Sequence, residues 1–263
     1  MKIVANKYKL LEKINSGSFG SIFKAENIRT GDILAMKVEK KDTNNNICTL
    51  KNEAKIYQYL NNLYGFPQLK WFGTDSEHNY LAIELYLFSL NALVKREKTL
   101  DIKLVAFFGK QMMERIQVLH SKFLLHRDIK PDNFLLDAQN TLFLIDFGLC
   151  KRYDYNGVHI VKTQITSLIG TANYASLNIH NGIEPSRRDD VESCIYIMIY
   201  MLFGRLDWEH CATNSDIMAL KAVIGSDKCR HLPAFISEML KYVRQLDFYD
   251  EPDYNYLVRL LDS

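Results

Sequence analysis

Two carboxylates and an amide stand at fixed separations in the middle of the chain. In His126-Arg127-Asp128-Ile129-Lys130-Pro131-Asp132-Asn133, the amide of Asn133 follows Asp128 by five residues, and Asp146-Phe147-Gly148 begins eighteen residues after Asp128. This spacing fits phosphoryl transfer. One aspartate accepts the proton of an attacking hydroxyl, while an amide oxygen and a second carboxylate hold magnesium ions against the phosphates. Asp128 takes the first role in this reading, and Asn133 and Asp146 the second.

Such side chains need elements to present them. The apolar runs 134–136 and 142–145, split by the polar stretch 137–140, predict a hairpin with Asn133 before it and Asp146 after it. Towards the N-terminus, YKLLEKI, SIFKAEN and ILAMKVE alternate with NSGSFG and RTGD, which reads as three strands over residues 8–38. A helix starting at Asn44 to Asn46 would carry a stripe of Leu50, Ala54, Tyr57 and Leu60, followed by a strand pair around 69–73 and 80–84. The periodicity then changes. Thr99 or Asp101 can cap a helix in which Leu104, Phe108, Met112, Ile116 and Leu119 recur at helical spacing. Residues 191–203 are apolar nearly all round and predict a buried helix, with further helices over 214–225 and 232–246. No repeat or Pro/Ser-rich linker separates the halves, so their boundary falls near residues 85–90. The expected class is α+β.

Composition narrows the rest. The chain has 263 residues, 48% hydrophobic and 24% charged, with 12 Gly and 5 Pro, which excludes disordered, collagen-like and disulfide-framework classes. Lys plus Arg number 33 against 31 Asp plus Glu, so bulk charge predicts neither a nucleic-acid nor a membrane partner. The 5 cysteines include no Cys-x-x-Cys pair, which argues against structural zinc and fits a reducing compartment. The longest apolar run, 194–203, is too short for the roughly 20 residues that span a bilayer, and the N-terminus lacks a signal-peptide core. An intracellular protein without a membrane segment is expected.

The motif HRDIKPDNFL is joined by GTANYASLNIH at 170–180 and SRRDDVES at 186–193. With these, nearly the whole chain resembles a eukaryotic protein kinase, and specifically the casein kinase one family. Ser176-Leu177-Asn178 stands where most kinases have Ala-Pro-Glu. The resemblance implies a single bilobal kinase domain over 1–263: a small antiparallel-sheet lobe with one main helix (about 1–84), a hinge (about 84–89) and a larger, mainly helical lobe (about 90–263). It also implies ATP and Mg²⁺ as cofactors and protein serine or threonine as acceptor.

Carried over residue by residue, Lys37 contacts the nucleotide phosphates and Glu53 orients it. The pairing makes electrostatic sense, because an ammonium on a strand needs a fixed anion to stay aimed at phosphates. Alone, either residue reads as a surface charge. The turn 15–20 lacks the first glycine of Gly-x-Gly-x-x-Gly; Ile14, Asn15, Gly17 and Gly20 are its nucleotide-side residues, with Gly17 and Gly20 letting the backbone approach the phosphates and Asn15 tolerating unusual backbone angles. Ile22, Ala35, Leu135 and Ile145 match adenine-sandwiching positions, Ile83 matches the gatekeeper, and Glu84 and Leu85 begin the hinge. Without the resemblance all of these are core residues. Lys130 and Thr171 match the serine/threonine class, with Lys130 offsetting charge on the transferring oxygens. Asp190, near a helix N-terminus, matches the anchor of the catalytic-loop backbone, and His126 reads as a buried structural residue.

The chain also departs from the family. Asn173 replaces an arginine, Thr166 a lysine and Leu220 another lysine of the cluster that receives primed, phosphorylated substrates. A neutral amide offers no charged fork to a phosphate. A weakened priming preference is therefore expected, with Arg127, Lys151, Arg152, Lys162, Arg187, Arg188 and Lys221 left to attract acidic substrates. The sequence ends at Ser263 without the family's regulatory tail, which predicts a monomer whose shortened second lobe exposes a surface for a partner. A constitutively active enzyme of nucleus or cytoplasm, in settings such as DNA-damage responses, without direct nucleic-acid contact, is the leading reading. A kinase-shaped scaffold without turnover is the alternative.

Overall fold

The computed structural model describes residues 2–17, 20–41, 49–224 and 232–262. The chain forms two compact units, residues 1–88 with 135–148 and residues 89–134 with 149–263.

Alternating side chains build the first unit around a six-stranded antiparallel sheet. Its strands are β1 (Ile3–Val4), β2 (Tyr8–Gly17), β3 (Gly20–Asn27), β4 (Ile33–Lys40), β5 (Leu69–Thr74) and β6 (His78–Glu84), in the order β1-β2-β3-β4-β6-β5. Tyr8, Leu10, Ala25, Leu34, Met36, Tyr80 and Ala82 pack into one core. Strand parity then sends their neighbours to the opposite face. Ile22 lies across from Lys37, and Ala35 from Ile83, so these four share the face away from that core.

Helix α1 (Thr49–Tyr59) buries Leu50, Glu53, Ala54 and Tyr57, and Leu60 continues the stripe as expected. The expected start at Asn44 to Asn46 lies outside the described residues. Glu39, two residues beyond Lys37 on β4, accepts the Leu50 N–H at 3.4 Å, the Thr49 hydroxyl and the Asn79 amide at 3.0 Å. A carboxylate at the N-terminal end of a helix satisfies N–H groups that lack intrahelical partners. It ties α1 to the strand that carries Lys37.

Two short strands, β7 (Phe88–Ser89) and β8 (Leu124–Leu125), precede the hairpin of β9 (Phe134–Leu136) and β10 (Leu142–Leu144). Asp137 accepts the N–H of Gln139 at 2.9 Å and of Thr141 at 2.8 Å, closing the turn that the sequence places at 137–140. From Leu135 onward the hairpin belongs to the first unit, held there by Leu87 N–H on the Leu136 carbonyl (3.0 Å) and Leu144 N–H on the Gly65 carbonyl (2.9 Å).

The second unit is mainly helical: α2 (Leu90–Glu97), α3 (Ile102–Ser121), α4 (Leu177–His180), α5 (Arg187–Phe203), α6 (Asn214–Val223), α7 (Ala234–Gln245) and α8 (Tyr254–Leu260). Its short strands β11 (Lys151–Arg152), β12 (Asp154–Tyr155) and β13 (Val158–His159) pair β11 with β8 and β12 with β13. Asp101 caps α3 by accepting the N–H groups of Lys103 and Leu104. One expected stripe residue is displaced: Leu104 is 42% exposed, while Val105 is fully buried. Val105 precedes Phe108 by three residues and so takes the inward position that a spacing of four assigned to Leu104. Helix α5 is buried from Arg188 through Met201, as its apolar circumference predicts. The α+β class stands as expected; α2, α4 and α8 were not foreseen.

Candidate active site

In the first unit, Lys37 Nζ lies 2.8 Å from both Glu53 Oε2 and Asp146 Oδ1. Strand β4 presents the ammonium and α1 presents Glu53, which is 2% exposed. One turn further along α1, the Tyr57 hydroxyl accepts the Asp146 N–H at 3.1 Å, and its ring meets Phe147 edge-on at 4.8 Å. Glu53 and Tyr57 share a helix face because they are four residues apart. Sequence reasoning found the first and missed the second, which reads as core. Burial opposes charge on Lys37, but the carboxylates of Glu53 and Asp146 outweigh it and hold the lysine above its ordinary range. One ammonium is thus shared between two acids. Burial pushes the Glu53 carboxyl up to about 7, although Lys37 opposes the rise.

The other residues predicted for the nucleotide divide by position. Ile22 and Ala35 are half-buried on the Lys37 face, Ile83 is buried beside them, and Leu135, Ile145 and Glu84 are half-buried. Leu85 is exposed. Ile14 is 50% exposed at a bulge, since Lys13 pairs with Phe23 and Asn15 with Ile22. Asn15 is not among the residues of positive φ, so its tolerance for unusual angles is not used; its side chain accepts the Ser16 N–H at 2.8 Å. Gly17 pairs with Gly20 across the strand ends, and Gly20 has φ 119. A Cβ there would fall 2.3 Å from the Val38 carbonyl oxygen, so close strand packing already demands glycine.

In the second unit, Asp128 gathers three partners. Lys130 Nζ lies 2.6 Å from Oδ2, the Thr171 hydroxyl donates to Oδ1 at 2.7 Å, and the Asn133 side-chain N–H donates to the backbone carbonyl at 2.9 Å. Lys130 Nζ also reaches the Thr171 hydroxyl at 3.4 Å. Gly170 makes the approach of Thr171 feasible: with φ 87, an added Cβ would meet the Arg127 carbonyl oxygen at 2.4 Å. His126 is buried, and its N–H and that of Arg127 donate to Asp190 at 2.7 and 2.9 Å. Asp190 therefore does anchor this loop, but the donors come from the loop and not from the N-terminus of its own helix. This arrangement can take a proton from a hydroxyl beside a cation, while the first unit can hold a phosphate chain. The sequence matches the protein kinase domain over residues 8–249. The chain belongs to the protein kinase family. Membership brings with it use of ATP, ordinarily with Mg²⁺, and protein substrates.

The two side chains that the sequence assigns to metal, the Asn133 amide and the Asp146 carboxylate, each offer hard oxygen of the kind Mg²⁺ takes. Among the described residues no group of three His, Cys, Asp or Glu side chains forms a metal cage. Mg²⁺ does not require one, since substrate phosphates and water complete its shell.

The basic residues expected to attract acidic substrates mostly serve the fold. Arg127 Nε donates to the Leu149 carbonyl at 2.6 Å and its guanidinium lies 3.5 Å from Glu184, which also pairs with Lys151 at 2.8 Å. Arg187 donates to the Tyr249 carbonyl, and Arg188, which is buried, to that of Leu246. Arg152 and Lys162 are exposed. Lys221 is the largest departure from expectation. It is wholly buried, its ammonium 2.8 Å from the Ala172 carbonyl, 2.6 Å from that of Ala175 and 3.0 Å from His180 Nε2, over the rings of Tyr196 and Trp208.

Burial pushes the Lys221 pKa from 10.5 down to about 7, with Glu192 opposing the fall and Arg244 assisting it. Below pH 7 the folded and unfolded chains both carry this proton. From there to 10.5 the unfolded chain keeps a proton that the folded chain has released, so stability rises with pH. Relative to Lys221→Met, the wild-type kinase should gain about 2 kcal/mol between roughly pH 7 and 9, read from urea midpoints. A constant difference over that interval would contradict the assignment.

Proposed function

We propose that the kinase transfers the γ-phosphoryl group of ATP to serine and threonine hydroxyls of proteins, and that it is of casein kinase one type. The observation that carries this reading is the cluster of Lys130, Asp128 and Thr171, a cation, a carboxylate and a hydroxyl within one hydrogen-bonded group. We read residues 1–263 as one kinase domain, with a first lobe of about 1–84, a hinge of about 84–89 and a second lobe of about 90–263.

In this reading Asp128 orients the acceptor hydroxyl and takes its proton. Lys130 offsets charge on the transferring oxygens, and Lys37, steadied by Glu53, positions the phosphates. Asn133 presents Oδ1 because its N–H is committed to the Asp128 carbonyl, and Asp146 supplies the second metal ligand. Bound Mg²⁺ would neutralise the phosphate oxygens. Ile22, Ala35, Ile83, Leu135 and Ile145 offer apolar surface to the adenine.

Two observations support the subtype. Ser176 and Asn178, which stand in place of Ala-Pro-Glu, both donate to Asp189, at 2.6 and 3.1 Å. Asp189 also accepts the Ser186 N–H at 2.7 Å, so both segments that carry the family resemblance close on one carboxylate. These bonds to Asp189 come from the chain's own side chains and backbone, which supports a constitutively active enzyme. The internal commitments of Arg127, Lys151, Arg187, Arg188 and Lys221 support a weak preference for primed substrates.

Phosphotransfer from Mg-ATP to casein and to matched Ser, Thr and Tyr peptides tests this reading, with Asp128→Asn as control. Ser and Thr peptides should be phosphorylated and Tyr peptides not, and priming by phosphoserine should change kcat/KM by less than about threefold. Nucleotide binding without transfer, or efficient tyrosine phosphorylation, would refute it. Among the described residues no helix is long and apolar enough to cross a membrane.

A further inference from the structure

Helix α8 lies beyond residue 249, outside the span that matches the kinase domain, yet its first residue reaches towards the catalytic loop. Tyr254 is 5% exposed, and its hydroxyl lies 2.5 Å from His120 Nδ1. The other ring nitrogen, Nε2, lies 3.0 Å from Asp190 Oδ2. Asp190 accepts the backbone N–H groups of His126 and Arg127, the two residues before Asp128. Arg127 has φ 68, a left-handed conformation that a non-glycine residue keeps only where its surroundings impose it. The line from Tyr254 through His120 and Asp190 to His126 is buried throughout.

We propose that Tyr254 is a positioning residue for phosphoryl transfer: its hydroxyl donates to His120 Nδ1, holds the ring with its Nε2–H on Asp190, and so steadies the backbone that leads into Asp128. This rests on the role given to Asp128 above.

The chemistry leaves one arrangement. A neutral imidazole has one N–H and one lone pair, and a carboxylate can only accept. Asp190 already receives two backbone N–H groups as an acceptor, so the ring nitrogen facing it must carry the proton. Nδ1 is then the acceptor, and the Tyr254 hydroxyl supplies its donor. The Tyr153 hydroxyl does not compete, since it donates to the His120 backbone carbonyl at 2.7 Å. Burial pushes the His120 pKa down despite the attraction of Asp190, which keeps the ring neutral. Burial acts to raise the Asp190 carboxyl, but the hydrogen bonds from the His120 ring and the His126 backbone hold it below its ordinary value. Without the hydroxyl Nδ1 becomes a buried acceptor with no donor, and the ring loses the bond that keeps its Nε2–H on Asp190.

Tyr254→Phe deletes the hydroxyl alone. Its kcat for peptide phosphorylation should fall about tenfold, with KM for ATP within about twofold, since Lys37, Glu53 and Asp146 belong to the other unit. Tyr256→Phe, the same deletion on the same helix, should keep the wild-type kcat. Nitrogen-15 shifts of the His120 ring read the contact without reference to activity: the wild type should show Nε2–H between about pH 6 and 8, and Tyr254→Phe the same proton with its Nδ1 resonance moved downfield by loss of the hydrogen bond. A wild-type ring protonated on Nδ1, an unchanged kcat in Tyr254→Phe, or an equal loss in Tyr256→Phe would each overturn the proposal. Asp128→Asn is assayed alongside. Wild-type turnover in that variant would sink the reading of Asp128, and the ring shifts would still decide whether Tyr254 sets the His120 contact with Asp190.

Discussion

Replacing Asp128 with Asn should lower kcat for Ser/Thr peptides by about three orders of magnitude while KM for ATP changes by less than about threefold. The substitution keeps the shape of the side chain. Its oxygen can still accept from Thr171, now 2.7 Å away, and Asn133 is unaffected because it bonds to the backbone carbonyl. On the proposed mechanism two things are lost, the basic oxygen that takes the hydroxyl proton and the anion that Lys130 faces at 2.6 Å. An unpaired ammonium left beside the acceptor adds to the defect, because it no longer has a fixed direction. Steady-state kinetics with a thermal melt separate chemistry from folding. A variant that melts within a few degrees of the wild type and turns over at the wild-type rate would remove Asp128 from the mechanism.

Lys37→Met should lower kcat/KM for Mg-ATP by about 100-fold or more, the scale seen when one preorganised stabilising group is deleted. Its cause reaches further than the loss of the phosphate contact proposed for Lys37. Glu53 and Asp146 each lie 2.8 Å from the position the ammonium occupies, so its removal leaves two carboxylates facing a neutral methionine. Glu53 already has its pKa raised to about 7 from 4.5, and without Lys37 it must go higher. The sign follows from linkage. Between 4.5 and the folded value, the folded chain holds a proton that the unfolded chain has lost, so stability falls as pH rises. The variant extends that fall to higher pH. Its urea midpoint should therefore diverge downward from the wild type between about pH 6 and 8. Parallel midpoints across this range would show that Lys37 is not what keeps Glu53 ionised.

Much of this site was legible in the sequence because its chemistry is local. Asp128, Lys130 and Asn133 lie within six residues, and a short polar turn between apolar runs is enough to predict the hairpin before Asp146. The sheet was legible for a similar reason, since alternation along each strand records which face is buried. Apart from Leu104, displaced by one position within its helix, and Asn15, the failures are long-range. Lys221 reads as a surface cation in any window of sequence, and only the carbonyls of Ala172 and Ala175, some fifty residues earlier, make it a buried one. Glu39, Tyr57, Asp189 and Tyr254 act on partners that periodicity cannot name. The helix containing Tyr254 spans only 7 residues, too few for a periodic signal, and its start is set by the Asp253 side chain accepting the Tyr256 N–H. That the segment 135–148 joins the first unit follows from hydrogen bonds to Gly65 and Leu87, which leave no mark on the local pattern.

The knot that Asp189 makes with Ser176, Asn178 and Ser186 bears on how such an enzyme would be governed. On the reading proposed above, a strap fastened by its own carboxylate leaves that stretch with no anchor for an upstream enzyme to supply. Its output would then follow the supply of acceptor proteins and the speed of the hydrolases that erase its marks.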